Sequence, residues 1–533
     1  MSLACRRVAA SLRESQSVMK RYWILVSVAG VIAAIGLAAG LDEVEGVVGE
    51  WRVAGQNLGN TRSAQGETEI SPANVASLAV KWSFTTGGDV SATPTVAGDA
   101  LYVPDWAGNV YAINRNNGQQ IWSVQVPVLD GVMGAVSRSS PAIHGDDVII
   151  GDIENDGATA LHNGANLIAL NRQTGKLHWI SKVDDQGAAI ITGSPVVLGD
   201  TVYVGISSNE EILAIPNSYQ CCTFRGSVVA VDANTGKKLW QTYTIPDNGG
   251  KPGGYSGNPV WQPPAIDPER GLLYIGTGNN YDVPASVLAC AAKDPKADCT
   301  APDDYFDTAM ALDLKSGRIR WSYKVGTYDA WTVACFFNPP LANCPNPAGP
   351  DWDLGGSGPN LLKDLVVFGQ KSGFLWAFNP QDGTLRWSTM VGPAGIFGGI
   401  EWGTATDGKR IYVAISNSFH VPTKLLNGQT ATGGFWNALD PATGKILWQT
   451  ADEDGAADYG SVSEANGVVY GGSLSGKMFA LDAQTGKILW SFATAGSVID
   501  GPSIVNGVVY WGSGYGRVGG TPNNKLYAFA VPH

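Results

Sequence analysis

Six of the seven cysteines are the side chains whose spacing most directly allows chemistry. They fall into three neighbouring pairs: Cys221 with Cys222, Cys290 with Cys299, and Cys335 with Cys344. In an exported chain such pairs predict three local disulfides, although six cysteines allow about fifteen connectivities. The spacing therefore predicts disulfides without fixing which cysteines pair.

The motifs of three other chemistries do not occur in this sequence. It contains no Cys-x-x-Cys-His, no His-Glu-x-x-His and no Gly-x-Ser-x-Gly, and it has five histidines in all. The sequence therefore argues against a covalently attached c-type haem, a zinc hydrolase and a serine hydrolase.

The elements that must position any site are repeats of a strand, a turn and a second strand. The clearest copy is Lys477–Trp490, an alternating apolar strand that ends at Asp482, turns at Gly486 and closes on a Trp. In seven copies an Asp or Asn precedes the Trp by eight residues, and the seven Trp are Trp122, Trp179, Trp240, Trp321, Trp387, Trp448 and Trp490. One such hairpin cannot bury its own apolar face, so the copies must stack side by side.

Two half-copies at the chain ends complete the pattern. Leu526–Phe529 has the first strand without its Trp, and Leu78–Phe84 has the Trp strand, with Trp82, without its partner. The sequence therefore predicts an all-β, eight-bladed β-propeller with Trp-repeat blades, whose ring is closed by the N-terminal strand. Closure also removes the open sheet edges.

The composition and the first residues limit the cellular setting. The formal net charge is −12 and the isoelectric point is about 4.9, which argues against nucleic acid or an anionic membrane surface as a partner. Residues 1–39 carry Lys20 and Arg21 before an apolar run that ends in small residues, as a secretory signal peptide does. We expect a periplasmic or secreted protein with the propeller at 50–533 and no membrane span after cleavage; an uncleaved anchor helix is the alternative.

The loops between the repeats differ greatly in length. The longest insertions are Ser207–Gly226, Asn279–Asp307 and Gly326–Gly356, and all three fall in the third to fifth blades. Because loops beyond the structural minimum commonly carry function, one sector of one rim is the expected site.

Three segments give the sequence a family resemblance. Trp51-Arg-Val-Ala-Gly-Gln and Ile70-Ser-Pro-Ala-Asn-Val-Ala-Ser-Leu resemble the entry segment of the eight-bladed quinoprotein alcohol dehydrogenases, and Cys221-Cys-Thr-Phe-Arg-Gly-Ser is similar to the polyvinyl alcohol dehydrogenases in particular. The resemblance covers essentially all of 50–533. It implies pyrroloquinoline quinone (PQQ) and Ca²⁺ as cofactors.

The resemblance assigns two calcium ligands and a neighbouring turn. Glu210 and Asn279 match the family's metal-binding positions, with Glu211 as a competitor for Glu210. Ser207, Ser208 and Asn209 fill the turn before Glu210 and are expected to contact the cofactor. A solvated loop is the alternative interpretation of the two glutamates.

Four further residues match the family's cofactor contacts. Trp261 corresponds to the indole beneath the quinone, Thr192 to a hydroxyl donor, Arg138 to a partner of a PQQ carboxylate, and Lys371 to a donor to the quinone oxygens. The alternatives are a packing Trp, an exposed Arg and an ordinary turn Lys.

Two departures from the family pattern affect the site. The adjacent pair Cys221 and Cys222, also counted as cofactor-binding, follows Glu210 instead of preceding the Arg-containing strand. Thr332 stands where the family has its catalytic Asp. Because a hydroxyl cannot act unaided as the base, Asp329 is the predicted substitute and Glu401 the second candidate.

The resemblance implies a PQQ- and calcium-dependent oxidation of alcohols. Secondary alcohols and polyvinyl alcohol-like polymers are the expected substrates, and a separate soluble cytochrome c is the expected electron acceptor. Two alternatives stay open: a non-catalytic scaffold like the outer-membrane assembly lipoproteins, and a PQQ dehydrogenase for sugars or small alcohols.

Overall fold

The computed structural model describes residues 47–154, 164–294, 296–346, 349, 351–395 and 397–532. The predicted signal peptide at 1–39 lies outside the described residues. No helix among the described residues is long and apolar enough to cross a membrane.

Eight antiparallel sheets form the blades of a propeller, which confirms the predicted fold class. Blades 1 to 4 consist, in sheet order, of Thr95–Ala97, Ala100–Pro104, Asn109–Asn114 and Gln120–Gln125; Ala142–His144, Asp147–Gly151, Ala165–Asn171 and Leu177–Asp184; Val196–Leu198, Thr201–Ser208, Ser227–Asp232 and Lys238–Tyr243; and Ala265–Asp267, Leu272–Gly276, Thr308–Asp313 and Ile319–Lys324.

The remaining four blades follow the same order along the chain. Blades 5 to 8 consist of Asn360–Leu362, Leu365–Gly369, Phe374–Phe378 and Leu385–Met390; Ala405–Thr406, Ile411–Ile415, Phe435–Leu439 and Ile446–Ala451; Ser463–Ala465, Val468–Gly472, Lys477–Asp482 and Ile488–Ala493; and Ser503–Val505, Val508–Ser513, Lys525–Ala530 and Ala79–Thr85. The last strand of blade 8 is the N-terminal one, so the ring closes as predicted.

The loops between the blade strands contain short strands and helices. Ala189–Ile190 extends blade 3, and three two-stranded ribbons pair Ala135–Val136 with Ile153–Glu154, Ser256–Gly257 with Asn280–Asp282, and Thr423–Lys424 with Thr430–Ala431. In the part of the chain that the structure describes, the helices are Val126–Asp130, Glu210–Leu213 and Ala285–Lys293, with 3-10 turns at Val75–Ser77 and Val333–Phe336. Disulfides join Cys221 to Cys222, Cys290 to Cys299, and Cys335 to Cys344.

The repeated Trp explains why the blades stack. Its indole N–H donates to a backbone carbonyl of the next blade, for example from Trp448 to Ala483 at 3.1 Å, and Trp490 closes the ring by donating to Leu78 at 3.0 Å. The turn glycine packs on the Trp of the preceding blade: Gly486 has φ +74°, and a Cβ there would lie 2.5 Å from the Trp448 ring. Trp and Gly are thus two halves of one contact between blades.

The segment Trp51–Ala64 joins blades that are distant in sequence. It makes backbone hydrogen bonds to the first strands of six blades, through Val96, Ile143, Ile266, Leu361, Thr406 and Glu464. These bonds hold the inner strands together and so fix the frame from which the site loops project.

Candidate active site

A cavity of about 320 Å³ lies among the loops that follow the second strands of the blades and the connections that precede the first strands. Ser208 ends the second strand of blade 3, and Lys371 follows that of blade 5 after one intervening residue; both side chains line the cavity. The volume falls within the range of small-molecule and cofactor sites. Among the described residues, none between 403 and 514 lines it, so blades 6 and 7 serve as frame.

The structure brings most of the sequence-predicted site residues to this one cavity. The lining includes Arg138, Thr192, Ser207, Ser208, Asn209, Trp261, Lys371 and Glu401. Glu210, Asn279, Cys221, Cys222 and Asp329 are not among the lining residues.

Indole rings and guanidinium groups form one wall of the cavity. Trp261 and Trp402 meet edge to face with ring centroids 5.4 Å apart, and the Arg138 guanidinium lies 4.3 Å from the Trp402 ring centroid. Arg517 lies 3.6 Å from the centroid of the Trp106 ring. The wall therefore offers separate flat indole faces flanked by fixed positive charge.

Lys371 is the centre of a buried ion cluster. Its ammonium lies 3.0 Å from Asp351, 2.8 Å from Asp353 and 5.5 Å from the Trp261 ring centroid. All three charged side chains are buried. Burial opposes the positive charge, but the two carboxylates outweigh it and raise the Lys371 pKa well above its usual value.

Carboxyl groups outnumber ammonium groups in this part of the cavity. Burial raises the pKa of Asp351 to about 7, and Lys371 partly offsets that rise. Burial likewise raises the pKa values of Glu211 and Glu401 to about 8, again against Lys371. Both glutamates line the cavity and are half-buried. The cavity walls shield their carboxyl groups from bulk water. This excess of carboxyl groups over ammonium groups favours a bound cation.

Glu210 and Glu211 point to different surroundings. The buried Glu210 carboxylate accepts backbone N–H bonds from Thr223 at 2.9 Å and Phe224 at 2.7 Å, and a hydroxyl bond from Tyr219 at 2.8 Å. Glu211 lines the cavity instead. Hydrogen bonds thus reach both carboxylate oxygens of Glu210, and of the two glutamates only Glu211 lines the cavity.

Asn279 has the chemistry of a metal ligand. Its side-chain amide donates to the carbonyls of Asn280 and Trp331, both at 2.8 Å, which leaves Oδ1 buried without a hydrogen-bond donor. Its backbone N–H donates to Asp353 at 2.7 Å, so it adjoins the ion cluster. Among the residues that the structure describes, no three His, Cys, Asp or Glu side chains group into a metal site by themselves.

Asp329 lies behind the cavity wall. It is almost fully buried, and its carboxylate accepts the backbone N–H of Trp352 at 2.7 Å. Burial, with neighbouring carboxylates such as Asp307, raises its pKa well above the usual value. The Asp329 carboxylate thus holds the backbone between Asp351 and Asp353 and does not line the cavity.

The structure shows which contacts are made by the residues of the two departures from the family pattern. The Thr332 hydroxyl donates to the carbonyl of Asn343 at 3.0 Å and closes a loop. The disulfide-bonded Cys221 and Cys222 pack in the blade 3 core with Phe224 and Tyr281, and Tyr281 lines the cavity. The cysteine pair therefore supports the cavity wall through Tyr281.

Sequence reasoning missed several cavity residues: Trp106, Glu211 as a lining group, Tyr281, Asp351, Asp353, Trp402, Tyr515 and Arg517. The Asp351-Trp-Asp353 triplet near the end of the insertion Gly326–Gly356 was the available signal. Arg517 and Tyr515 come from a loop of blade 8. That loop is not one of the long insertions, so its length did not indicate a role in the site.

The fold and the site define a quinoprotein dehydrogenase of the propeller type. Residues 51–387 match the PQQ family model, described as glucose/ethanol/alcohol dehydrogenase, beta-propeller domain, and 436–529 match that of outer membrane protein assembly factor BamB. The chain belongs to the PQQ-dependent alcohol dehydrogenase family.

The chain is similar in sequence to polyvinylalcohol dehydrogenases and in fold to two proteins of known structure. A polyvinylalcohol dehydrogenase of Pseudomonas sp is 32% identical, over 90% of this chain and 77% of that protein. A second, from Sphingopyxis sp., is 31% identical over 91% and 77%. The fold is similar to a quinohemoprotein alcohol dehydrogenase of Comamonas testosteroni, with a TM-score of 0.68 at 21% identity over 93% of this chain and 84% of that one. BamB of Moraxella catarrhalis gives a TM-score of 0.52 at 17% identity, over 85% and 99%.

Proposed function

We propose that this protein oxidises secondary alcohols, including polyvinyl alcohol-like polymers, with PQQ and Ca²⁺ bound in the cavity. One observation carries the proposal: a single cavity joins a flat indole wall, fixed cations and a carboxyl group whose pKa is about 7. The substrate names of the polyvinylalcohol dehydrogenase relatives support the polymer.

The residues present fit PQQ, a flat ortho-quinone with three carboxylates. Trp261 supplies the flat surface, Arg138 and Arg517 supply charge for carboxylates, and Thr192 and Ser207 supply hydroxyl groups. Lys371 lies over the Trp261 ring and so is placed to donate toward a bound quinone. When bound, PQQ and its metal would supply a polarised acceptor for the two electrons that leave the alcohol carbon.

For the metal we propose Asn279 with Glu211 in place of Glu210. Asn279 offers an oxygen without a donor, and Glu211 offers a carboxylate that faces the cavity. A hard cation prefers such oxygens, and it would relieve the repulsion among the surrounding carboxylates.

For the base we propose Asp351, ahead of the sequence candidates Asp329 and Glu401. Asp351 lines the cavity, Lys371 fixes its orientation, and its pKa of about 7 suits proton transfer near neutral pH. Its role is to take the hydroxyl proton of the substrate. Glu401 also lines the cavity, with Oε2 buried and without a donor, and is the second candidate.

We also propose that a separate cytochrome c takes the electrons and that the protein works in the periplasm or outside the cell. The signal-like residues 1–39 support export.

The scaffold alternative rests on the match of 436–529 to the BamB model. Those residues contain no described residue that lines the cavity except Tyr515, Arg517 and Val518. The match therefore reflects blade strands that the two families share. The long insertions in the third to fifth blades, which lie outside the match, favour catalysis.

The deciding experiment is reconstitution. Purified protein is incubated with PQQ and CaCl₂, and dye reduction is followed with isopropyl alcohol and with polyvinyl alcohol. We expect dye reduction that requires alcohol, PQQ and calcium together. Bound PQQ without turnover of any alcohol, or no PQQ binding, would refute the proposal.

A further inference from the structure

A set of apolar side chains surrounds the opening of the cavity. This mouth cluster consists of Ile212, Val333, Phe336, Phe397 and Val518. All except Phe336 line the cavity, and the Phe336 ring contacts that of Phe397 with centroids 6.2 Å apart. Val333 and Phe336 share the 3-10 turn before blade 5, and the other three residues come from separate loops of blade 3, blade 8 and the connection after blade 5. The mouth is thus apolar on several sides.

Three members of the mouth cluster are exposed although they are apolar. Phe336 keeps 58% of its surface in solvent, Val518 41% and Ile212 39%, whereas Val333 and Phe397 are half-buried. Lys371 and Asp351 lie deeper, since both are almost fully buried. An exposed apolar patch next to a charged pocket is typical of a binding surface.

The loop that carries Phe336 is held in place. The disulfide Cys335–Cys344 closes it, and the Thr332 hydroxyl bonds to the Asn343 carbonyl at 3.0 Å. The Asn343 side chain in turn donates to the carbonyls of Ala214 at 3.1 Å and Tyr219 at 3.0 Å. Because the loop is tied at both ends and to blade 3, its Phe is presented without an ordering cost on binding.

We infer that the mouth cluster binds the carbon backbone of a polyhydroxylated hydrocarbon chain such as polyvinyl alcohol. The inference rests on the proposed function and names the subsite that makes a polymer a better substrate than a short alcohol. The reactive carbon of such a polymer has chain on both sides, so the chain beyond its nearest neighbours leaves the cavity and its methylene groups lie at the mouth. They carry no charge, and the mouth cluster carries none. A sugar would instead need hydrogen-bonding groups at this position.

The test is Phe336→Ser, with Met390→Ser as the matched control. Met390 is 57% exposed on the last strand of blade 5 and does not line the cavity. Both variants are reconstituted with PQQ and CaCl₂, and KM and kcat are measured for polyvinyl alcohol and for isopropyl alcohol. We expect Phe336→Ser to raise KM for the polymer about tenfold with kcat unchanged, because most of one Phe contact is lost.

The short alcohol separates the possible outcomes. Its kcat/KM should stay within about twofold in both variants, since it does not reach Phe336, and Met390→Ser should leave the polymer KM unchanged. An unchanged polymer KM in Phe336→Ser, or an equal change for both alcohols, would overturn the subsite. Failure of the unsubstituted protein to oxidise either alcohol would refute the proposed function itself.

Discussion

Lys371 and Asp351 form a buried ion pair inside the cavity, with the ammonium 3.0 Å and 3.2 Å from the two carboxylate oxygens. Asp353 contacts the same ammonium at 2.8 Å. Burial raises the Asp351 pKa to about 7, because the shared ammonium offsets only part of the cost of burying the charge and Asp353 adds to the rise. The pair thus holds a base in position without removing its ability to take a proton.

Replacing Asp351 by Asn should remove the base. We expect kcat for isopropyl alcohol to fall by about a hundredfold to ten-thousandfold, with PQQ binding retained. The rise of kcat/KM with pH through about 7 should disappear in Asp351→Asn.

Asp329→Asn is the comparison for the base. An Asn oxygen can still accept the Trp352 N–H, so this variant should lose less activity and keep the pH dependence. Wild-type kcat in Asp351→Asn would show that another carboxylate is the base, and Glu401→Gln would then be measured next.

Substitution by Gln should affect calcium binding at one of the two adjacent glutamates and the stability of the fold at the other. Glu211→Gln should weaken calcium binding, seen as a higher CaCl₂ concentration for half-maximal activity, with little change in stability. Glu210→Gln should lower the free energy of unfolding by about 1–3 kcal/mol, because a charged acceptor of backbone N–H groups is lost. The reverse pattern in calcium titration and urea unfolding would restore Glu210 as the ligand.

The cofactor-free protein should lose stability as the pH rises. The folded-state pKa values of Asp351, Glu211 and Glu401 are about 7 or 8, above the ordinary carboxyl values. Their contribution is therefore fully present below about pH 4 and is lost as the pH rises through about 7 to 8. Thermal unfolding in EDTA should show a Tm that falls as the pH rises from about 4 to about 8. Added CaCl₂ should raise Tm more at about pH 8 than at about pH 4. A calcium effect that does not depend on pH would contradict this account of the cluster.

The bond that closes the ring should be worth about as much as a bond between neighbouring blades. Trp490→Phe removes the hydrogen bond to Leu78, and Trp448→Phe removes the equivalent bond to Ala483. Each should lower the free energy of unfolding by about 1–2 kcal/mol in urea titrations. No loss in Trp490→Phe, beside a clear loss in Trp448→Phe, would mean that the N-terminal strand adds little to closure.

The fold followed from the sequence because its determinants are local and repeated. Each blade carries its own Trp and turn Gly, and the half-copies at Trp82 and Leu526 define the closure. The contact of Gly486 with Trp448 shows that one pattern encodes both the hairpin and its neighbour.

The site followed from the sequence only in part. Arg138, Thr192, Trp261 and Lys371 lie about two to four residues from a strand, so short connections carry them to the cavity. Which of two consecutive glutamates faces the cavity depends on how the short helix Glu210–Leu213 starts, and no spacing rule fixes that.

Residues in long insertions were harder to place. The position of Asp351 depends on the path of the Gly326–Gly356 insertion, which is determined by contacts distant in sequence, such as that of Asp329 with Trp352.

The central claim, that this cavity holds PQQ, is tested most directly by titrating PQQ into the purified protein with CaCl₂ present and following tryptophan fluorescence. We predict saturable binding with one PQQ per chain, and weaker binding in Arg138→Ala and Trp261→Ala. Absence of saturable binding, or equal affinity in both variants and the unsubstituted protein, would contradict the assignment of the cavity.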